Sequence, residues 1–284
     1  MVVRRRFDWK LRTRTLRLGE RTLLMGVLNV TPDSFSDGGR YDDPERALDH
    51  ALQLEADGAD IIDIGAESMR PGSARVPEAE ELRRLVPVLK KLRDKLEIPI
   101  SVDTYKSGVA QKAIEYGVEV INDPSGLTFD PNLAKTIANG DAGVVVNHMR
   151  GTPESWAKLG PMKDIMNTLG KDLDAAANRA RRAGVLKDRI VIDPGLGFGK
   201  RKEQNAEIIA KLPELARLEI PILIGPSRKT FLKQADDEGT EFATAGAVAA
   251  AVIRGAHILR VHDVKAMRSV TDTVEAIIRT TEEF

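Results

Sequence analysis

Eight short apolar runs in this chain are each followed, within a few residues, by a polar or charged residue able to take part in chemistry. The runs are Leu23–Leu28, Ile61–Ile64, Ile98–Val102, Val118–Ile121, Val144–Val146, Ile190–Ile192, Ile220–Ile224 and Ile258–Leu259. Helical patterns separate them, and alternation of strands and helices at this spacing indicates a parallel sheet. Because the strands of a parallel barrel all point the same way, the groups after their ends should converge on one polar pocket.

The segments between the runs repeat apolar residues at helical spacing. The predicted helices are Pro44–Asp57, Pro77–Leu96, Lys106–Tyr116, Asn132–Asn139, Asp164–Ala183, Gln204–Leu218, Thr244–Arg254 and Val264–Glu282. Roughly eight strand–helix units favour a closed (β/α)8 TIM barrel of the α/β class over an open sheet. We expect one barrel domain over residues 1–284, preceded at 1–20 by a β-hairpin extension that closes the lower mouth, with Gly19-Glu20 as its turn.

Composition excludes several classes of function. Lys+Arg and Asp+Glu number 43 each and the pI is about 6.9, so no strong overall field attracts nucleic acid or an anionic membrane. The chain has no Cys, which rules out disulfides, thiolate metal sites and a Cys nucleophile and is compatible with a reducing cytoplasm. No apolar run has the length of a membrane span, and the basic N-terminus lacks the apolar stretch of a secretory signal.

The loops after the first strands carry small polar groups and charges. Asn29–Gly39 has the composition of a turn-rich surface loop, or of a mobile lid that donates hydrogen bonds to an anion. In the loop Gly65–Ser73, Arg70 stands next to Pro71 at the barrel end where active sites lie, which favours an oxyanion partner. Asp103 and Asp123 end apolar runs, and a structural role as a hydrogen-bonded cap is the stronger reading for Asp123.

The later loops suggest a flat ligand and a phosphate. The run Asp193–Lys200 contains three glycines, whose spacing differs from that of a dinucleotide fingerprint or a Walker loop. Such glycines let the backbone approach a planar ring, and Asp193 could accept hydrogen bonds from the N–H groups along the edge of that ring. Ser227 and Lys229 follow the next strand, at a helix start where a cation is unusual without a bound anion. Arg260 and His262 alternate on one side of the last strand, which suggests a phosphate group.

Taken together, these loops resemble the dihydropteroate synthase family. The matching segments are Asn29–Gly39, Gly65–Ser73, Ser101–Lys106, Asn122–Gly126, Asn147–Pro153, Asp193–Lys200, Gly225–Phe231 and Arg260–Lys265. The resemblance implies a (β/α)8 barrel, usually a homodimer, that joins 4-aminobenzoate to a dihydropterin-methyl diphosphate in folate biosynthesis and is the target of sulfonamides. Diphosphate leaves in a dissociative displacement, and no nucleic-acid or membrane partner is implied.

The resemblance also implies a role for individual residues. The pterin would be bound by Asp103, Asn122, Met149, Asp193, Phe198, Gly225, Lys229 and Arg260. The diphosphate would be bound by Asn29, Arg70, Arg260 and His262, with Mg²⁺ held at Asn29. The aminobenzoate would be bound by Thr31, Pro32, Phe35, Ser68, Met69, Arg70, Pro71 and Ser227. The groups expected to act in catalysis are Asp103, Lys229, Arg260, His262 and Arg70.

Two positions depart from the family pattern. Met69 stands where Thr is usual, and Pro124 stands where Ile or Val is usual. Met69 replaces a hydroxyl with a flexible apolar chain near the expected aminobenzoate site, which favours a second hypothesis of a non-catalytic pterin-binding paralogue. A third hypothesis is a methyltetrahydrofolate methyltransferase-type barrel, which needs no diphosphate group, so Arg70, Arg260 and His262 argue against it.

Overall fold

The computed structural model describes residues 4–31, 44–70 and 72–280 of the chain. The strands in this part are β1 Phe7–Lys10, β2 Thr15–Leu18, β3 Leu23–Asn29, β4 Ile61–Gly65, β5 Ile100–Asp103, β6 Val120–Asp123, β7 Gly143–Asn147, β8 Ile190–Asp193, β9 Leu223–Ile224 and β10 Ile258–Val261. The eight strands β3 to β10 coincide with the eight predicted apolar runs. β9 is shorter than its run because Pro221 has no N–H with which to extend the ladder.

Strands β3 to β10 form one parallel sheet in the order β8-β7-β6-β5-β4-β3-β10-β9. A parallel bridge between Ile192 and Ile222 joins the two ends of that order, and the Ile192 N–H donates to Pro221 O over 3.0 Å. The sheet therefore closes into a barrel, as the alternation of apolar runs and helices predicted. All eight strands present their carboxyl ends at the same rim.

The helices surround the barrel at the predicted places. They are α1 Pro44–Ala56, α2 Glu78–Leu92, α3 Ser107–Glu115, α4 Leu133–Asn139, α5 Ile165–Arg182, α6 Lys202–Ala210, α7 Asp237–Ile253 and α8 Val264–Thr280. α6 stops before the predicted Leu218, and a 3-10 helix follows, since Pro213 cannot donate to an α-helical ladder. α7 begins well before the predicted Thr244 because the Asp236 side chain caps it, accepting the Gly239 N–H at 2.6 Å. No helix within the described ranges is long and apolar enough to cross a membrane.

The N-terminal hairpin closes the lower mouth of the barrel, as predicted. β1 and β2 pair antiparallel, and Trp9, Leu11 and Leu18 pack against inward-facing residues near the lower ends of the barrel strands. The predicted turn at Gly19-Glu20 is wrong: the chain reverses at residues 11–14, where the Leu11 N–H donates to Arg14 O over 2.8 Å. Gly19 instead adopts a φ of +98° where the chain leaves the hairpin for β3. A glycine is needed there because the chain changes direction, and not because the hairpin turns at this point.

Replacing Trp9 with Ala should lower the free energy of unfolding by about 3–5 kcal/mol, as expected for truncating a large buried side chain. Trp9 is 1% exposed, and its indole N–H donates to Arg189 O over 3.0 Å. Urea unfolding measures the loss, with Leu186→Ala as a control because Leu186 is 56% exposed. Pterin affinity should stay unchanged in both variants, since the hairpin lies at the end of the barrel opposite the strand carboxyl ends.

Candidate active site

A cavity of about 650 Å³ opens at the carboxyl ends of the barrel strands. The sequence-predicted site residues that line it are Asn29, Thr31, Ser68, Met69, Arg70, Asp103, Asn122, Asp193, Phe198, Gly225, Ser227, Lys229, Arg260 and His262. Groups far apart along the chain thus share one cavity, as strand direction predicted. Pro32, Phe35 and Pro71 lie outside the described residues.

Met149 is the one described member of the predicted set that does not line this cavity. The buried side chain of Leu196 and the ring of Phe198 supply the apolar wall there, and sequence reasoning missed Leu196. Two further lining residues are Asn147, at the end of β7, and Pro124, one of the two departures from the family pattern. Pro124 is therefore placed to shape the pocket.

Asp193 ends β8 as a buried carboxylate facing the cavity. Its Oδ1 accepts the Gly195 N–H at 2.7 Å, while its Oδ2 has no hydrogen-bond donor in the described part of the chain. Burial raises the pKa of Asp193, although the Gly195 hydrogen bond and the charge of Lys229 oppose the rise. An acceptor held in this way is suited to the N–H edge of a polar ring.

The loop that follows Asp193 is held by a buried ammonium group. Lys200 Nζ donates to the carbonyl oxygens of His148, at 2.9 Å, and Gly195, at 2.7 Å. Burial lowers the pKa of Lys200 to about 7. The sequence offered Lys200 only as the end of a glycine-rich loop, and its role in joining the loops after β7 and β8 was not predicted.

Asp63 links two predicted site residues, although sequence reasoning missed it. Its Oδ2 accepts from Asn122 Nδ2 at 3.0 Å and from Arg260 Nε at 2.6 Å. Arg260 Nη2 also donates to Asp103 Oδ2 at 3.1 Å, so one guanidinium bridges two carboxylates. The available signal was an Asp inside the apolar run Ile61–Ile64, at the same strand parity as Ile61, whose side chain faces the barrel interior.

The protonation states follow from this packing of charges. Burial raises the pKa of Asp103 to about 7 against the opposing charge of Arg260, and the Asp63 carboxylate adds to the rise. Burial lowers the pKa of Lys229 to about 8, with Arg260 adding to the fall. Burial also lowers the pKa of Arg260, but Asp63 and Asp103 more than offset this and raise it above its usual value. Lys229 and Arg260 are therefore cationic donors at neutral pH.

His262 and Ser227 form a hydrogen-bonded pair beside Arg260. Ser227 Oγ lies 2.9 Å from His262 Nδ1 and accepts the His262 backbone N–H at 3.2 Å. Burial lowers the pKa of His262 to about 3, with Arg260 adding to the fall, so the ring is neutral at pH 7. When the Ser227 hydroxyl donates to Nδ1, the proton of the neutral ring is on Nε2. Ser227 therefore orients His262, a contact that its predicted place in the aminobenzoate site did not include.

Asn29 offers a side-chain oxygen at the end of β3. A Cβ placed on the neighbouring Gly65 would lie 3.4 Å from Asn29 Oδ1, so the glycine leaves space beside that oxygen. Across residues 4–31, 44–70 and 72–280, no cluster of three or more His, Cys, Asp or Glu could hold a metal ion. The donor set fits a Mg²⁺ ion that keeps water and substrate phosphate oxygens as its other ligands, and does not fit a tightly held structural metal.

Comparison with known proteins decides the family. The profile described as "Pterin binding enzyme" matches residues 25–262. The chain is 41% identical to a dihydropteroate synthase from Synechocystis sp., over 96% of this chain and 93% of that protein. This chain belongs to the dihydropteroate synthase family. The resemblance carried by the eight loops is thereby confirmed.

Solved structures of dihydropteroate synthases share the fold. One from Yersinia pestis, in a complex with a sulfonamide drug, is 37% identical with a TM-score of 0.90, covering 96% of this chain and 100% of that one. One from Xanthomonas albilineans, in complex with 7,8-dihydropteroate, is 36% identical with a TM-score of 0.85, covering 96% of this chain and 98% of that one. The similarity extends over the whole barrel.

Proposed function

We propose that this chain joins 4-aminobenzoate to the methyl carbon of a dihydropterin-methyl diphosphate, releasing diphosphate and forming 7,8-dihydropteroate. The observation that carries the proposal is the convergence of Asp193, Asn122 and Lys229 on one cavity, together with Asp103 and Arg260. These residues come from four strand ends and one loop, and together they present the acceptors and donors that the edge of a bicyclic pterin requires.

Each group of the pterin has a chemical counterpart in the cavity. Asp193 accepts from the amino and ring N–H edge, which would otherwise be desolvated without a partner. The Asn122 amide forms hydrogen bonds with the neighbouring ring nitrogens, and the Lys229 ammonium donates hydrogen bonds to the carbonyl oxygen and a ring nitrogen. The Lys229 ammonium lies 4.5 Å from the centre of the Phe198 ring, so it is held at one wall of the pocket. Arg260 lies across the pterin face.

The leaving group is met by positive charge and N–H donors. Arg260, Arg70 and the neutral His262 ring stabilise the charge that grows on the diphosphate as its bond to carbon breaks. Asn29 would hold Mg²⁺ together with diphosphate oxygens, and the ion would neutralise part of that charge. The methyl carbon becomes cationic, and Asp103, once ionised, is the carboxylate that offsets this charge. The weakly basic arylamine then attacks without a strong general base.

We assign the aminobenzoate site to the described residues that follow β3 and β4. Thr31, Ser68 and Met69 line the cavity, and Arg70 is an exposed cation at its mouth. Met69 makes this part of the site more apolar than the Thr of the family pattern would. Ser227 acts on the site by orienting the His262 ring through their hydrogen bond. Ser68 and Met69 would help to exclude water once both substrates are bound, which would protect a cationic carbon from hydrolysis.

Release of diphosphate, measured with and without 4-aminobenzoate, tests the function. Rapid release that requires 4-aminobenzoate, slowed by a chelator and restored by Mg²⁺, is the expected result. A protein that binds the pterin diphosphate but releases nothing under either condition would be a non-catalytic pterin-binding module. Transfer of a methyl group from methyltetrahydrofolate would identify the methyltransferase-type barrel instead.

Replacing His262 with Ala should weaken binding of the pterin diphosphate about tenfold while leaving the affinity for the same pterin without its diphosphate within twofold. The loss follows from removing one N–H donor from the diphosphate end of the cavity. Calorimetry with the two ligands makes the comparison within one variant. Equal losses for both ligands would move His262 out of the diphosphate site.

We also propose that the protein works in the cytoplasm, whose reducing conditions suit a chain without cysteine and whose water dissolves the charged substrates.

We further propose that the protein is a homodimer. Support for dimerisation comes from an apolar surface on α7 and α8, where Phe242 is 70%, Ile253 49% and Ile277 61% exposed. Apolar surface of this kind is typical of a face shared by two identical chains.

The α7 surface makes the dimer testable. Phe242→Arg should convert the protein from a dimer to a monomer in light scattering coupled to size-exclusion chromatography, because the change places two like charges in a symmetric contact. Leu186→Arg, at an exposed residue on the opposite end of the barrel, is the control and should remain dimeric. A wild-type protein that is monomeric at micromolar concentration would remove the proposal.

A further inference from the structure

A buried charge cluster lies beneath the loop that carries Arg70. Lys106 Nζ, just after β5, contacts the carboxylates of both Glu67 and Glu81, and these three side chains are 12%, 5% and 1% exposed. The Tyr105 hydroxyl donates to the other oxygen of Glu67 at 3.0 Å. Glu67 is the residue directly before Ser68-Met69-Arg70 and itself borders the cavity. Glu67, near the start of the Arg70 loop, is therefore fixed by two polar groups, the Lys106 ammonium and the Tyr105 hydroxyl.

The C-terminal part of the same loop, at Arg75, also packs against Tyr105. The Arg75 guanidinium lies 4.6 Å from the centre of the Phe129 ring and 5.8 Å from that of Tyr105, and these two rings meet edge-to-face at 5.3 Å. Lys106 Nζ is also 4.2 Å from the centre of the Tyr105 ring. Tyr105 thus contacts the loop at Glu67 and again at Arg75, while Lys106 contacts it at Glu67.

From this arrangement we propose that Tyr105 and Lys106 are positioning residues that hold Arg70 and Met69 at the mouth of the cavity. Through this they set the affinity for 4-aminobenzoate and for the diphosphate group. The inference rests on the proposed function and assigns a role to residues that do not touch the pterin. Neither Tyr105 nor Lys106 lines the cavity, so both act on the substrates through the residues that they hold in place. Both residues directly follow the Asp103 segment, so one stretch of backbone supports the pterin site and the Arg70 loop together.

A purely structural role predicts a different outcome, which makes the inference testable. Glu67, Glu81 and Lys106 bury two carboxylates against one ammonium, and Glu81 Oε1 has no hydrogen-bond partner in the described part of the chain. Burial raises the pKa of Glu81. A cluster with an excess of buried negative charge is a poor source of stability, since desolvation offsets the attraction. Its contribution therefore lies in fixing the position of the loop.

The decisive experiment compares two ligands in Lys106→Met and Tyr105→Phe. In both variants the KM for 4-aminobenzoate should rise, by about tenfold for Lys106→Met and about threefold for Tyr105→Phe, since a loosened loop binds less well. The affinity for a pterin without diphosphate, measured by calorimetry, should stay within twofold of wild type. Lys106→Arg should recover most of the KM, because it restores a cation between the two carboxylates.

Matched controls separate this effect from a general loss of structure. Lys112→Met, on α3, removes an exposed lysine paired with Glu115 and should leave both measurements unchanged. If Lys106→Met does not fold, Tyr105→Phe removes only one hydroxyl and decides the question alone. An unchanged KM in folded variants, or an equal loss of pterin affinity, overturns the inference. Failure of the proposed function would instead appear in the wild type, as no diphosphate release at all.

Discussion

Replacing Asp193 with Asn should reduce pterin affinity by about 3 kcal/mol, which corresponds to a loss of about 150-fold. Asp193 Oδ1 already accepts the Gly195 N–H, so the amide oxygen would take over that contact and its NH₂ group would face the N–H edge of the ligand. Two donors would then oppose each other in a desolvated pocket. Calorimetry with a pterin that lacks the diphosphate measures the change without any contribution from the leaving group.

The stability of Asp193→Asn should not fall with its affinity. Burial raises the pKa of Asp193, which means that the folded protein disfavours the ionised carboxylate relative to the unfolded chain. Near neutral pH the charge at this position therefore opposes folding, and a neutral isostere removes that penalty. The midpoint of urea unfolding should stay equal to that of wild type or rise, so the variant would lose binding while remaining folded.

Asp123→Asn is the matched control at a second buried carboxylate. Asp123 ends β6 next to Asn122, but its oxygens accept from the Ser125 N–H at 2.9 Å, from the Ser125 hydroxyl at 2.8 Å and from the Leu127 N–H. An amide cannot accept all of these, so the free energy of unfolding should fall by about 1–3 kcal/mol while pterin affinity is retained. Equal affinity losses in the two variants would contradict a specific role for Asp193.

The parts of this site that could be predicted from sequence are those that depend on strand direction alone. Asp103, Asn122 and Asp193 stand at the ends of buried strands, so a parallel barrel brings them to one rim whatever the details of packing. Lys229 and Arg260 follow by the same reasoning. Their convergence required only the positions of the apolar runs, which the periodicity of the sequence shows directly.

The residues that sequence reasoning missed act through contacts between distant parts of the chain. Asp63 lies within a strand instead of after one, and its importance appears only when Arg260 and Asn122 are seen to share its Oδ2. The Lys106 cluster is similar, since its partners Glu67 and Glu81 come from another loop and another helix. No spacing rule predicts which of many charged residues will be buried together.

Two local signals were correctly recognised as a turn residue and a helix start, but their positions along the chain were predicted wrongly. Gly19 does have the left-handed conformation that its type favours, but the hairpin reverses earlier, at residues 11–14. The start of α7 depended on Asp236, whose capping contact an apolar-periodicity argument does not include. Ser227 lines the cavity, so its predicted place in the aminobenzoate site stays a prediction, while its hydrogen bond to His262 was missed because it depends on two loops that come together only in the folded barrel.

Replacing Arg260 with Lys should reduce kcat/KM by about 1,000-fold, or about 4 kcal/mol of transition-state stabilisation. The guanidinium donates from Nε to Asp63 and from Nη2 to Asp103, in a planar geometry that a single ammonium cannot reproduce. One of the two buried carboxylates would lose its cation, and the flat group that covers the pterin would be gone. Steady-state release of diphosphate measures the loss, with retention of more than a tenth of wild-type kcat/KM as the contrary result.

Arg268→Lys provides the control for the same chemical change. Arg268 is 19% exposed at the side chain, close to the 22% of Arg260, and also binds a carboxylate, that of Asp60, at 2.6 Å. It lies on α8, joins that helix to the lower part of the barrel through Gly58 O, and does not line the cavity. We expect its kinetics to match wild type while unfolding becomes easier by about 1 kcal/mol. A loss of kcat/KM confined to Arg260→Lys would then arise from the geometry of Arg260 at the leaving group, since charge and burial are alike in the two variants.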